Sequence, residues 1–379
     1  MSKKNISWVV VIIVTIILIV YFFQTDSNDD TIKIGVIAPT SGPIASFGKY
    51  IVNGLSIGKD EINLEGGING RSIELIFEDE GGGVNAAVTS FRKLVDLDKV
   101  KVNIGPATSN GVMALAPLAN KEKIIIISPS ATTDNITSAG DYIFRTRAST
   151  SDEVKVFINY ILENYELKSF AALRSSADYA VSFIQISKDE IIKKKCEFLT
   201  EESFPPNTVD YRTQLTLIKK MNPDGLFIVG VPIELGNMMK QIKQLGINAK
   251  IFSNQIDNPE IFEFAGDAAN GIIFPTTFYD PLNGYSIQRK FEEAYENKFG
   301  NNSHLFAANA YDALFAVKRV IEKNGYESEE IKNGLYAMSP FQGASGKISF
   351  DKNGDLISPI IAIKTIKQGK FEFIKEVTK

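Results

Sequence analysis

Beyond residue 30 the chain alternates short β-branched runs with longer stretches in which apolar residues recur every three or four positions. A period of two gives way to a period of 3.6 and back again, which is the pattern of βαβ units building a parallel sheet. Ile32 to Ile37 predicts the opening strand, Phe47 to Ile62 a helix, Arg71 to Phe77 a strand, Val84 to Val95 a helix and Val100 to Ile104 a strand. A helix over Gly111 to Ala119 and strands at Ile124 to Ile127 and Tyr142 to Thr146 follow. The four consecutive isoleucines are what a strand covered by helices on both faces requires.

The alternation restarts near Asp152. It predicts helices over 153–164, 179–194 and 234–245, a short helix over 259–264, and strands over 170–173, 226–230, 250–253 and 271–274. Three helices centred on Phe291, Leu314 and Gly334 have no strands of their own, so they are expected to return to the first half. Two strands, Gly346 to Phe350 and Ile360 to Ile366, flank the turn Asp351-Lys352-Asn353-Gly354-Asp355. The expected architecture is α/β, with two Rossmann-like lobes: 31–149 plus 277–350, and 150–276 plus 351–379. Several tight crossings in place of one loose linker predict a hinge about which the lobes close as rigid bodies.

Lys3 and Lys4 precede an unbroken apolar run from Ile6 to Phe23, which Asp26, Asp29 and Asp30 close. Eighteen residues at about 1.5 Å each span roughly 27 Å, enough to cross the hydrocarbon core and longer than the apolar part of a cleaved signal. Residues 1–30 are therefore predicted to form an N-terminal transmembrane helix retained as an anchor. The positive flank points inward and sends the remainder across the membrane, to an extracytoplasmic location. Cleavage would instead leave a secreted or periplasmic protein.

With a net charge of −4 the 379-residue chain offers no basic stripe for phosphates, so nucleic acid is not an expected partner. Cys196 and His304 are each the only residue of their type. That rules out an intrachain disulfide and leaves too few ligands for a Cys/His zinc site. A hydroxyl or thiol nucleophile would have to find its base in that one imidazole, so an enzyme is not expected. His304 follows Asn301-Asn302-Ser303 and reads as a surface residue. No glycine-rich phosphate motif joins a strand to a helix, so no cofactor is expected.

Candidate binding residues lie in the turns that follow predicted strands, where open α/β sheets hold their ligands. Thr40-Ser41-Gly42-Pro43, Ala107-Thr108-Ser109-Asn110-Gly111 and Ser128-Pro129-Ser130-Ala131-Thr132-Thr133 all combine hydroxyls with backbone N–H groups. Donors at a helix N-terminus suit a carboxylate. Glu78-Asp79-Glu80 ends a strand and reads as solvated, and Glu65-Gly66-Gly67-Ile68-Asn69-Gly70 reads as a hairpin-like turn.

Taken in order, Ile34 to Pro43, Gly66 to Gly70, Ile104-Gly105-Pro106, Ser128 to Thr132, Phe144-Arg145-Thr146, Asp178-Tyr179, Ala310-Tyr311-Asp312-Ala313 and Phe350 to Asp355 make the chain resemble a known family from Thr31 to the C-terminus. This is the family of type I periplasmic binding proteins for branched-chain amino acids (Leu/Ile/Val), the solute receptors of ABC importers. The resemblance implies a two-lobed clamp that delivers a small ligand to ABC permease subunits. It implies that Ser109, Ser130 and Thr132 surround the ligand carboxylate, and that Tyr179 and Phe47 pack against the ligand. Two positions depart from the amino acid-binding pattern. Gln255 stands where an acid would pair with the ligand ammonium, and Val231 stands where a second aromatic would lie. Either Asp257 takes over the charge, or the ligand is an ammonium-free amide or carboxylate. A ligand-sensing ectodomain acting through a partner signalling receptor is the other role open to such a fold.

Overall fold

The computed structural model describes residues 31–378 apart from 82 and 207. The apolar run expected to form the membrane anchor lies outside them, and among the described residues no helix is long and apolar enough to cross a membrane.

Strands β1 (Thr31–Ala38), β2 (Ser72–Asp79), β3 (Val102–Ile104), β4 (Ile125–Ser128) and β5 (Ile143–Arg145) form one parallel sheet in the order β2-β1-β3-β4-β5. Helices α1 (Ala45–Leu64), α2 (Val84–Asp96) and α3 (Ser109–Glu122) are its crossovers. The chain then runs through α4 (Thr150–Asn164), β6 (Ser169–Ser175), α5 (Asp178–Lys193), β7 (Glu197–Phe204), α6 (Arg212–Met221), β8 (Gly225–Val229), α7 (Pro232–Leu245), β9 (Lys250–Ser253), α8 (Glu260–Ala265) and β10 (Ile273–Thr277). Three helices follow, α9 (Ser286–Phe299), α10 (Leu305–Asn324) and α11 (Ser328–Tyr336). After them come a small hairpin of β11 (Phe341–Gln342) and β12 (Lys347–Ile348), and then β13 (Ile360–Lys367) and β14 (Lys370–Thr378). The second sheet has the order β14-β13-β10-β9-β8-β6-β7, parallel except at β13 and β14.

Helix α10 explains how the first sheet is buried on both faces. Its Ala310, Ala313, Leu314 and Val317 join Ile51 and Leu55 of α1 over Ile34, Val36 and Ile125. On the opposite face α2 and α3 pack Phe91, Leu94, Val112 and Leu115 over Ile37 and Ile126. The strand of four isoleucines is thus covered from both sides, as its composition requires.

Three of the longer elements went unread in the sequence. β7 is an edge strand bearing Glu197, Thr200, Glu201 and Glu202, so its polar residues mask the β period. α6 buries only Leu215 and Ile218, and β14 is a second edge strand with alternating charges. The predicted strand at Gly346 to Phe350 shrinks to the two residues of β12, paired with β11 outside both main sheets.

Candidate functional site

A cavity of about 650 Å³ lies between the two sheets. Ser109, Ser130, Thr132, Tyr179, Phe47, Gln255, Val231 and Asp257, scattered over more than 200 positions of sequence, all line it.

The first-lobe wall is made by the loops after β3 and β4. Gly105 opens the first loop at φ +104°, and a Cβ there would lie 1.9 Å from the Ile37 carbonyl, so the turn past β1 needs glycine. Thr108 caps α3, its hydroxyl accepting from the Gly111 N–H at 3.0 Å. Buried Ser109 ties the two loops together, because its Oγ accepts from the N–H groups of Thr132 at 3.2 Å and Thr133 at 3.3 Å. Ser130 Oγ donates to the Ala107 carbonyl at 2.7 Å. The Thr132 carbonyl accepts from Arg145 and from the Thr150 N–H, which fixes its backbone while its hydroxyl makes no hydrogen bond to a described residue. Phe47 meets Phe306 edge-on at 5.1 Å.

The N–H groups expected to be free at the start of α3 are partly taken. Glu80, expected to be solvated, is fully buried, and its carboxylate accepts from the N–H groups of Ala107 at 2.9 Å and Thr108 at 3.2 Å and from the Thr108 hydroxyl. Burial pushes this carboxyl up and the three hydrogen bonds pull it down, with burial the larger effect. A strand-end acid therefore serves as an internal hydrogen-bond acceptor for the residues that lead into the helix.

The second-lobe wall carries charge. Tyr179, in the first turn of α5, buries a phenol that has no partner among the described residues. Val231 precedes α7, and its N–H donates to Glu234 at 3.0 Å. Gln255 and Asp257 follow β9. The Gln255 side chain donates to Asp257 at 2.7 Å and accepts from Arg147. Asp257 also accepts from Lys364 of β13 at 3.0 Å. Burial pushes the Asp257 carboxyl up, but Lys364, His304 and Gln255 more than offset it and hold it at about 2.

Several lining residues were missed in the sequence. Arg147, just past β5, is buried and pairs with Glu153 of α4 at 2.6 Å while donating to Thr277 and Gln255. Burial pushes the Glu153 carboxyl up to about 7 although Arg147 pulls it down. An arginine among small polar residues gives no local sign of its partner. His304, expected on the surface, is buried instead. It stacks on Tyr50 at 4.6 Å, its Nδ1 accepts from the Phe306 N–H, and it lies 3.9 Å from Asp257. Burial lowers it to about 4, against the pull of Asp257, so it is neutral at neutral pH. Its polar neighbours pointed outward; the apolar run Leu305-Phe306-Ala307-Ala308 just after it was the better signal.

Contacts at the cleft rim hold the two sides together. Ser46 of α1 donates to Glu260 of α8 at 2.8 Å and accepts from Asn258 at 3.2 Å. The Asp178 N–H donates to Asn110 and the Asp134 N–H to Ser182, both at 3.2 Å. The two sides are therefore in contact beside the cavity, and polar groups from both line it. Such a cavity can bind and enclose a small polar molecule.

Comparison with known proteins gives this arrangement a family. Residues 31–370 match the family described as periplasmic binding protein. The leucine-, isoleucine-, valine-, threonine- and alanine-binding protein of Pseudomonas aeruginosa is 29% identical over 333 residues, covering 86% of this chain and 87% of its own. The branched-chain amino acid transporter substrate-binding protein LivJ of Streptococcus pneumoniae, solved with isoleucine, superposes with a TM-score of 0.84 at 30% identity, over 92% of this chain and all of its own. The leucine-binding protein LivK of Thermotoga maritima superposes with a TM-score of 0.86 at 26% identity, over 91% and 98% of the two chains. With its two sheets facing each other across a cleft that both line, the chain belongs to the periplasmic binding protein family, as a type I member related to Leu/Ile/Val-binding solute receptors.

Proposed function

We propose that the protein is the extracytoplasmic solute receptor of an ABC importer, and that it clamps a small amino acid-like ligand between its lobes. The observation that carries this reading is the cavity of about 650 Å³ between the lobes, lined on one side by hydroxyls and Phe47 and on the other by charged groups and Tyr179. Ser109, Ser130 and Thr132 receive the ligand carboxylate, with Phe47 and Tyr179 packing against its apolar part. Residues 31–149 with 277–350 move against 150–276 with 351–379, and closure presents the surface that the permease reads. The apolar run from Ile6 to Phe23 tethers the receptor to the membrane. The relatives support the ligand class, since the Pseudomonas protein takes its name from five amino acids and the Streptococcus protein was solved with isoleucine.

A thermal-shift screen of the full-length protein against amino acids, short amides, urea and simple carboxylates tests the reading. A ligand at 100 times its dissociation constant adds about 2.7 kcal/mol, a readily measured rise in melting temperature. A rise with one of these classes supports a receptor for small polar solutes, whereas no rise with any of them removes the proposed ligand class.

A further inference from the structure

The charges around the cavity do not balance. Arg147 is paired with Glu153 and Lys364 with Asp257, all four buried or nearly so. One carboxylate is left over. Glu234, the third residue of α7, is 8% exposed and lines the same cavity. One of its oxygens accepts from the Val231 N–H at 3.0 Å. The other has no hydrogen bond among the described residues, and no cation among them pairs with the group. The Tyr179 phenol on the same wall is likewise buried without a partner among the described residues, and its burial, followed by the nearby Glu234 carboxylate, makes it harder to ionise.

A buried carboxylate without a counter-charge is costly, so a protein keeps one where something else supplies the positive charge or the proton. Asp257 is poorly placed to serve a ligand, because Lys364 and Gln255 already engage both of its oxygens. Capping of α7 accounts for only one oxygen of Glu234. The second oxygen has no hydrogen bond among the described residues, and the residue lines the cleft, where a ligand can reach it.

We propose that Glu234 supplies the counter-charge for a protonated amine of the ligand, with the Tyr179 hydroxyl as a second polar contact on the same group. This rests on the receptor reading above and moves ammonium recognition from the loop after β9 to the first turn of α7. The cleft then selects for ammonium-bearing ligands despite the neutral Gln255.

The test uses the full-length protein and matched probes: L-leucine against 4-methylpentanoate and L-alanine against propanoate, with acetamide and urea as neutral N–H donors. Calorimetry on wild type should show amino acids binding far more tightly than their amine-free counterparts. Glu234→Gln keeps an oxygen to accept from the Val231 N–H and removes an unpaired charge, so the melting temperature of the free protein should hold or rise. Its affinity for the amino acid should fall about 30-fold or more, with no loss for the matched carboxylate. Tyr179→Phe should cost the amino acid roughly threefold to tenfold. The proposal is overturned if Glu234→Gln binds the amino acid within threefold of wild type. It is equally overturned if wild type binds an amine-free carboxylate, acetamide or urea as tightly as the amino acid, an outcome that leaves the receptor reading intact. If no probe of any class binds wild type, the receptor reading fails first and this proposal with it. Should Glu234→Gln not fold, the matched pairs on wild type still decide.

Discussion

The two walls of the cleft solve different problems. The first-lobe wall is neutral toward the cavity and already tied together: Ser109 bridges the loops, Ser130 is anchored on Ala107, and Glu80 consumes the N–H groups behind them. The opposite wall and the crossing segments hold Arg147, Glu153, Asp257, Lys364 and Glu234, whose energies depend on partners brought from distant strands. A neutral donor set can be preorganised by short loops, because each hydrogen bond costs little to assemble locally. Buried charges must be matched by groups from elsewhere in the fold or by the ligand. On the proposed function, affinity for a carboxylate would come from the first wall and discrimination by charge from the second.

The strongest way to break this contrast is to unpair the second wall. Arg147→Met leaves Glu153 buried without its partner and is expected to cost about 3–5 kcal/mol of stability at pH 8 in urea unfolding. Because burial already raises Glu153 to about 7, its proton neutralises the site in acid, and the cost should shrink toward pH 5. A cost that does not change with pH would mean that Arg147 acts through packing rather than charge.

On the first wall the expected loss is in binding. The Thr132 hydroxyl has no partner among the described residues, so Thr132→Ala should leave the melting temperature nearly unchanged. It should weaken the ligand by the worth of one hydrogen bond to a charged group, about 1.5–3 kcal/mol by calorimetry. Unchanged affinity would take Thr132 out of the carboxylate site.

A smaller, pH-gated effect distinguishes Asp257. Its carboxyl lies at about 2 in the fold against an ordinary 3.8, so the charged form contributes stability that is present above pH 4 and lost as pH falls toward 2. The difference in unfolding free energy between wild type and Asp257→Asn should therefore level off above about pH 5 and shrink by at most about 2.4 kcal/mol below it. A difference independent of pH down to 2 would show that Lys364 does not hold the charge.

Much of the architecture was legible because it rests on local periodicity. β4, buried on both faces, announces itself in four isoleucines, and α10 in twenty residues of helical spacing. The edge strands β7 and β14 were not legible, because one side of an edge faces solvent and admits Glu and Lys that break the pattern. At the site, the hydroxyls after β3 and β4 could be found because βα turns of a parallel sheet are where ligands bind. His304 was misplaced because its immediate neighbours are polar while its contacts, Tyr50 and Asp257, are remote.

The sequence by itself therefore determined an α/β chain with two parallel-sheet units and cavity-lining loops at their carboxyl ends, because helix and strand periods and turn residues act over a few positions. Only the tertiary structure decided the charge of the cleft. Lys364 reaches Asp257 across 107 positions and Arg147 reaches Gln255 across 108. Glu234 finds no cation among the described residues at all. Coulomb energy depends on distance and burial in space, and neither is written in the local order of residues.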